Sequence, residues 1–312
     1  MKTMKAVRIH EYGVPEVLRY EDAPRPEPGT GEVLVRVHAA ALNPIDWKIR
    51  AGYVKNWLNY PLPMIPGWDF SGVIDSVGPG AGAWKPGDEV YGRPDISRDG
   101  AYAEYIAVRA SEIAAKPKCI DHIHSAAIPL AGLTAWQALF ETADLKAGQS
   151  VLVHAAAGGV GTFAVQLAKW KGAHVAGTAS GRNQYLLRDL GVDQPIDYQT
   201  TRFEDVVHDV DVVLDSLAGE IRSRSWKVLK KGGILVTLLG QGQLEDAASY
   251  GVRGVGILVQ PNPAQLSEIA ALVDQRKVKP VIEAVFPLQE AAKAQILGET
   301  NRARGKIVLR VD

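Results

Sequence analysis

The sequence predicts an α/β protein in which a doubly wound parallel sheet is joined to a second, mainly antiparallel β domain. Three observations carry this. The first third consists of short β-branched runs separated by Gly, Pro and Asp; from about Ser125 apolar strands alternate with helical segments; and the tail returns to strand texture. A chain of 312 residues suits two domains. The predicted partition is residues 1–125 with 277–312 for the antiparallel domain and residues 126–276 for the parallel one.

Within the first domain, GEVLVRVHAAAL (31–42) sets Val33, Val35 and Val37 on one face, as a half-buried strand requires. FSGVIDSVG (70–78), DEVYG (88–92) and AYAEYIAV (101–108) read as further strands of a partly open barrel. Between them, GYVKNWLNYPLPMIPGWD (52–69) is a loop rich in Tyr and Trp, suited either to lining an apolar site or to ordinary packing. The parallel domain then alternates VLVHAA (151–156), a helix from Gly159 to Lys171, HVAGTA (174–179) and a helix near Gln184 to Leu190. DVVLDSL (211–217), a helix near Ile221 to Leu229, GILVTLL (233–239) and GVGILVQ (254–260) continue the pattern, with Lys230-Lys231-Gly232-Gly233 expected to close the helix before them. A helix near Ala264 to Gln275 precedes VIEAVFPL (281–288) and GKIVLRV (305–311), tail strands expected to rejoin the first domain.

Composition narrows the function. Hydrophobic residues make up 46% and charged residues 22%, and 35 Lys plus Arg balance 35 Asp plus Glu. Bulk charge therefore favours neither nucleic acid nor an anionic membrane. The uncharged stretch from Ala147 to Ala168 is long enough to span a bilayer, but His154, Gln166 and the paired Gly158 and Gly159 fit a strand, turn and helix better. The single Cys119 rules out an internal disulfide and a four-cysteine zinc cluster. The expectation is a cytoplasmic protein.

The sharpest motif is VLVHAAAGGVGTFAVQLAK (151–169). Ala156, Gly158 and Gly161 stand at the spacing of the dinucleotide fingerprint, and the amides near Gly159 and Val160 face the place of a pyrophosphate. An NAD site places an acid about 20 residues further on. Here the segment is GTASGRNQ (177–184), with no acid from Gly172 until Asp189. Ser180 and Arg182 instead offer a hydroxyl and a planar cation to a 2′-phosphate, which favours NADPH as cofactor.

ALNPIDWKIR (41–50), AGLTAWQAL (131–139), AAAGGVGTFAVQLAK (155–169) and GKIVL (305–309) together resemble the zinc-independent quinone oxidoreductase branch of the medium-chain dehydrogenases/reductases. The resemblance covers essentially the whole chain. It implies a GroES-like catalytic domain, a Rossmann domain and, by family habit, a homodimer, possible through edge strands such as 254–260. It leaves the substrate open among quinones, 2-alkenals, enones and enoyl thioesters. Zinc-dependent relatives carry Cys where this chain has Asn43, and Gly-His-Glu where it has Gly67-Trp68-Asp69. Cys119, His122 and His124 are the local rival for a metal, without an evident fourth ligand.

The resemblance further implies that Asn43 and Asp46 lie beneath the nicotinamide, with an amide hydrogen bond available from Asn43. Tyr53 is the candidate to hydrogen-bond the substrate oxygen or donate a proton, packing being its alternative role. Thr134 resembles a residue on the nicotinamide side of the cofactor and Tyr198 one beside the adenosine; both also suit purely structural roles. Ser216 and Leu217 follow the fourth Rossmann strand, where backbone groups meet the nicotinamide ribose. Without a Lewis acid, charge is best developed on a delocalised enolate or quinol. The expected function is NADPH-dependent hydride transfer to a quinone or α,β-unsaturated carbonyl, a small-molecule electrophile. A redox-silent NADPH-binding protein is the alternative.

Overall fold

The chain begins with an antiparallel pair, β1 (Thr3–Arg8) and β2 (Arg19–Pro24). β3 (Glu32–Ala41) follows, and Val33, Val35 and Val37 are all buried, so the alternation read from sequence faces a core. Helix α1 (Pro44–Arg50) starts at Asn43 with proline in its first turn, where no amide is needed. The strands β4 (Phe70–Val77), β5 (Glu89–Gly92), β6 (Tyr105–Arg109) and β7 (Ile113–Ala115) come next, then α2 (His122–Ala126) and α3 (Pro129–Trp136).

The strand–helix alternation then sets in: β8 (Ser150–Val153), α4 (Gly159–Trp170), β9 (His174–Ala179), α5 (Gln184–Asp189), β10 (Gln194–Asp197), β11 (Val210–Asp215), α6 (Gly219–Ser225), β12 (Leu229–Thr237) and β13 (Arg253–Gly256). These six strands form one sheet, parallel throughout, in the order β10-β9-β8-β11-β12-β13. That is the doubly wound dinucleotide-binding order, whose ligand crevice opens at the carboxyl ends of the strands. The chain finishes with α7 (Pro263–Asp274), β14 (Ile282–Pro287), α8 (Ala291–Glu299) and β15 (Lys306–Arg310). β15 pairs antiparallel with β3, so the tail rejoins the first sheet as expected. That seven-stranded sheet runs β14-β15-β3-β4-β5-β7, with β6 also on β3. The computed structural model describes all residues except Met1, Asn59, Gln241, Gly242, Gln243 and Asp312.

Two compact units result: Met1–Leu133 with Pro261–Asp312, and Thr134–Gln260. The division differs from the sequence-based one at 125/126 and 276/277, and the reason at the second is α7. Tyr91 OH on β5 donates to Leu266 O at 2.6 Å, and Cys119 N donates to Asp274 Oδ1 at 2.9 Å, tying that helix to the antiparallel unit. At the other boundary Gln137 and Gln260 exchange two hydrogen bonds, of 2.8 and 3.0 Å, that close the parallel unit. The core of the antiparallel unit gathers Val33, Val35, Phe70, Ile74, Ile106 and Leu309; that of the parallel unit gathers Leu152, Ile196, Val213, Trp226 and Leu235.

Lys230-Lys231-Gly232-Gly233 does not close a helix but lies in the first half of β12. Gly232 has φ of 78° and bonds Gly251 O, while Lys230 pairs with Asp211. Positive charge plus glycine marks an irregular strand entry as readily as a helix end. No helix among the described residues is long and apolar enough to cross a membrane; Ala147–Ala168 falls into β8, a turn and α4.

Candidate active site

β8 ends at Val153 and the chain turns into α4 through Ala155, whose φ of 48° is left-handed. Gly158 caps the helix in extended conformation; its N–H donates to Ala155 O at 2.9 Å and its carbonyl accepts from Thr162 N at 3.0 Å. A Cβ at Gly161 would lie 2.3 Å from Ala155 O, so only glycine lets the helix approach the turn this closely. The first-turn amides at Gly159 and Val160 have no intrahelical acceptor by the geometry of a helix start, and both residues are half-buried rather than covered. Ala156, Gly158, Gly159, Val160 and Gly161 thus form one turn with donors and a positive dipole end for a diphosphate. The residues present fit a nicotinamide dinucleotide.

At the end of β9, Ser180 Oγ accepts from Asn183 Nδ2 at 3.2 Å, which leaves its hydroxyl proton free to donate outward. Arg182 is exposed, and Tyr198, also exposed, is tied to the same strand end by donation from its N–H to Ala179 O at 3.2 Å. The fold thus brings Ser180, Arg182 and Tyr198 to one edge. It also brings a carboxylate that reading along β9 could not reveal. Asp197 pairs in register with Ala179 from β10, and a Cβ at Gly181 would lie 2.7 Å from its Oδ2.

After β11, Asp215 shapes the loop that carries Ser216 and Leu217. Its Oδ1 accepts from Leu217 N and Ala218 N, both at 2.9 Å, and its Oδ2 accepts from Arg222 Nε at 2.7 Å. Burial works against this charge, but the two amides and the guanidinium outweigh it and hold the carboxyl below its ordinary range. Leu217 remains exposed and Thr134 is buried. His154, absent from the sequence-based candidates, lies beneath the turn. Ser225 Oγ donates to Ile221 O at 2.7 Å and so accepts from His154 Nε2 at 2.9 Å, assigning the proton to Nε2. Burial lowers His154 to about 4, so the ring is neutral.

In the antiparallel unit, Asn43, Asp46, Asp69, Tyr102 and Lys306 form a buried polar cluster. Asp46 Oδ2 accepts from Asn43 N at 2.8 Å and from Tyr102 OH at 2.9 Å, while Oδ1 has no partner. Burial raises Asp46 to about 7, against the pull of those two donors and of Lys306. Asp69 Oδ2 accepts from Asn43 Nδ2 at 2.8 Å and from Lys306 Nζ at 2.9 Å, and Asp69 Oδ1 accepts from Leu130 N at 2.6 Å. Burial pushes Asp69 up as well, with Lys306 opposing. Gly67, at φ 98°, lets the chain pass the Tyr102 ring: a Cβ there would lie 2.2 Å from a ring carbon.

The amide hydrogen bond expected from Asn43 is thus already made inside the unit. Its Nδ2 serves Asp69 and, at a longer 3.4 Å, Ala41 O, and its Oδ1 accepts from Lys306. Asn43 and Asp46 come together as expected, but Tyr53 does not join them. It is 74% exposed, with its ring edge-on to Trp47. Of the aromatic loop, Trp57 is exposed whereas Tyr60 and Trp68 are buried.

These residues do not fit a catalytic zinc. Trp68 turns its indole N–H to Arg98 O at 3.1 Å, and the Lys306 ammonium already occupies the oxygens of Asn43 and Asp69. The rival group is dispersed. Cys119 Sγ donates to Val273 O, His122 contacts Ser71 and stacks on His38, and His124 pairs with its own helix cap Asp121. Among the described residues no group of three His, Cys, Asp or Glu is placed to hold a metal ion.

Two family models match the chain: an alcohol dehydrogenase GroES-like domain over residues 29–118 and a zinc-binding dehydrogenase over residues 190–309. The chain is 38% identical to the NADPH-dependent alkenal/one oxidoreductase, chloroplastic, of Arabidopsis thaliana, over 99% of this chain and 80% of that one. It is 38% identical to the 2-methylene-furan-3-one reductase of Solanum lycopersicum, over 98% and 79%. Among solved structures, the quinone oxidoreductase from Coxiella burnetii superposes with a TM-score of 0.93 at 38% identity, covering 100% of both chains.

Proposed function

The chain belongs to the quinone oxidoreductase branch of the medium-chain dehydrogenase/reductase superfamily and is an oxidoreductase of the NAD(P) type, and from that premise we propose that it uses NADPH to reduce a quinone or an α,β-unsaturated carbonyl. The observation that carries the acceptor class is Lys306 seated on Asn43 and Asp69. The ammonium takes the oxygens a metal ion would need, so the cluster is not built for a Lewis acid, and without one charge is best developed on a delocalised enolate or quinol.

NADPH is favoured by the Ser180 hydroxyl and the Arg182 guanidinium at the end of β9, with Tyr198 beside the adenosine. The bound dinucleotide supplies the hydride; the protein supplies position and electrostatics. The turn from Ala156 to Gly161 holds the diphosphate, and Thr134, Ser216 and Leu217 serve its nicotinamide half. Asn43 and Asp46 keep the catalytic unit in shape, and the exposed Tyr53 hydroxyl is the proton donor, with solvent the rival source. The proposal includes a homodimer through β13, whose outer edge pairs with no described strand and leads to the exposed Leu258. The test is NADPH oxidation across quinones, 2-alkenals, cyclic enones and enoyl thioesters. Turnover of at least one class supports the reading; silence with all of them supports a redox-silent binding protein.

A further inference from the structure

Arg93 directly follows β5 in the antiparallel unit, and its side chain is only 3% exposed. Its Nε has no partner, and among the described residues no hydrogen bond or ion pair closes on the guanidinium. Its neighbours in the chain behave differently. Arg98 pairs with Glu32 at 2.7 Å, and Arg109 pairs with both Asp95 and Glu112 at 3.0 Å.

The groups whose charge reaches Arg93 are Asp69, Asp95, Glu112 and the Tyr60 phenol. Each is engaged elsewhere: Asp69 by Lys306, Asn43 and Leu130, Asp95 by Arg109 and Ser97, Glu112 by Arg109, and the Tyr60 hydroxyl by Ile96 O. A buried guanidinium without a partner is unfavourable in itself, and a ligand that completes it is one reason for a fold to keep it. Phe70 pairs with Gly92 in the antiparallel β4–β5 register, so Arg93 lies across from Asp69, beside the cluster of Asn43 and Lys306.

We propose that Arg93 is a catalytic residue that binds the carbonyl oxygen of the conjugated acceptor and stabilises the oxyanion formed during reduction. The inference rests on the reductase reading above. A hydride from NADPH forms the new C–H bond at the β-carbon, and the C=C pair shifts to make the Cα=C bond of an enolate. The carbonyl π pair becomes the negative charge on oxygen, facing Arg93. A proton from Tyr53 or water then bonds to Cα, leaving the saturated carbonyl compound and NADP⁺. The guanidinium gains its counter-charge only as the hydride arrives, so the interaction is stronger in the transition state than with the neutral acceptor.

Two readouts test this. In steady-state kinetics with a 2-alkenal, Arg93→Met should lower kcat about 100-fold or more, keep NADPH affinity within about twofold of native, and be partly rescued by Arg93→Lys. In a titration without turnover, native protein with NADP⁺ should bind 4-nitrophenol as its coloured anion, a flat conjugated oxyanion, and Arg93→Met should not. Native turnover with kcat retained in Arg93→Met overturns the inference, as does a loss confined to acceptors bearing a carboxylate. If Arg93→Met fails to fold, the native titration decides alone, and no preference for the phenolate over the neutral phenol overturns the inference. Absence of native turnover with every acceptor defeats the reductase reading instead, whatever the phenolate result.

Discussion

Lys306 Nζ lies 2.9 Å from Asp69 Oδ2 and also donates to Asn43 Oδ1, so one buried ammonium ties β15 to the segments before α1 and β4. Removing one partner of such a pair leaves an uncompensated buried charge. Lys306→Met should therefore destabilise the protein by about 3–5 kcal/mol. Adding Asp69→Asn to that variant should recover part of the loss, because the carboxylate that Lys306 contacted is then gone as well. Urea unfolding measures both; an unchanged midpoint in Lys306→Met would show that the pair carries no weight.

The same ammonium leads to a second expectation. Active protein should contain well under one zinc per chain, and chelators should leave its rate unchanged. Elemental analysis alongside the activity assay measures this. Stoichiometric zinc whose removal abolishes turnover would contradict the reading of the cluster.

Local pattern made much of this legible. The valines of β3 alternate with period two, and residues 151–169 hold strand, turn and helix within one short run, so both could be read directly. Pairings between distant segments could not. Asp197 reaches Gly181 only through the β9–β10 register, and Tyr102 and Lys306 meet Asp46, Asn43 and Asp69 across the antiparallel sheet. Lys306 did leave a trace, as a lysine leading the apolar run Ile307–Leu309, but nothing in that run names its partners. Lys230–Gly233 has the composition of a helix end yet enters β12, because charge and glycine mark more than one kind of chain irregularity.

NADPH should bind at least tenfold more tightly than NADH. That ratio needs about 1.4 kcal/mol, within the range of one charge-assisted contact. Arg182→Ala should remove the preference while leaving NADH affinity nearly unchanged. Fluorescence titration with both dinucleotides is the check, and equal affinities in the native protein would falsify the assignment.

Stability should carry the signature of Asp46. In the unfolded chain its carboxyl ionises near the ordinary 3.8, whereas in the fold it ionises at about 7. Between those values the folded state binds more protons, so Asp46 lowers stability as pH rises through the window, by on the order of a few kcal/mol in all. Asp46→Asn retains an acceptor for Asn43 N and Tyr102 OH and cannot ionise. Its stability relative to native should climb from pH 4 to pH 7 and level off above. A difference that is flat with pH would show that Asp46 stays charged.

The most direct test of the central claim follows the hydride itself. NADPH deuterated at the transferable C4 position should deliver its label to the β-carbon of a 2-alkenal, giving the saturated aldehyde with no label lost to water. Label on the carbonyl carbon, with the alkenal's double bond intact in an alcohol product, would contradict the account.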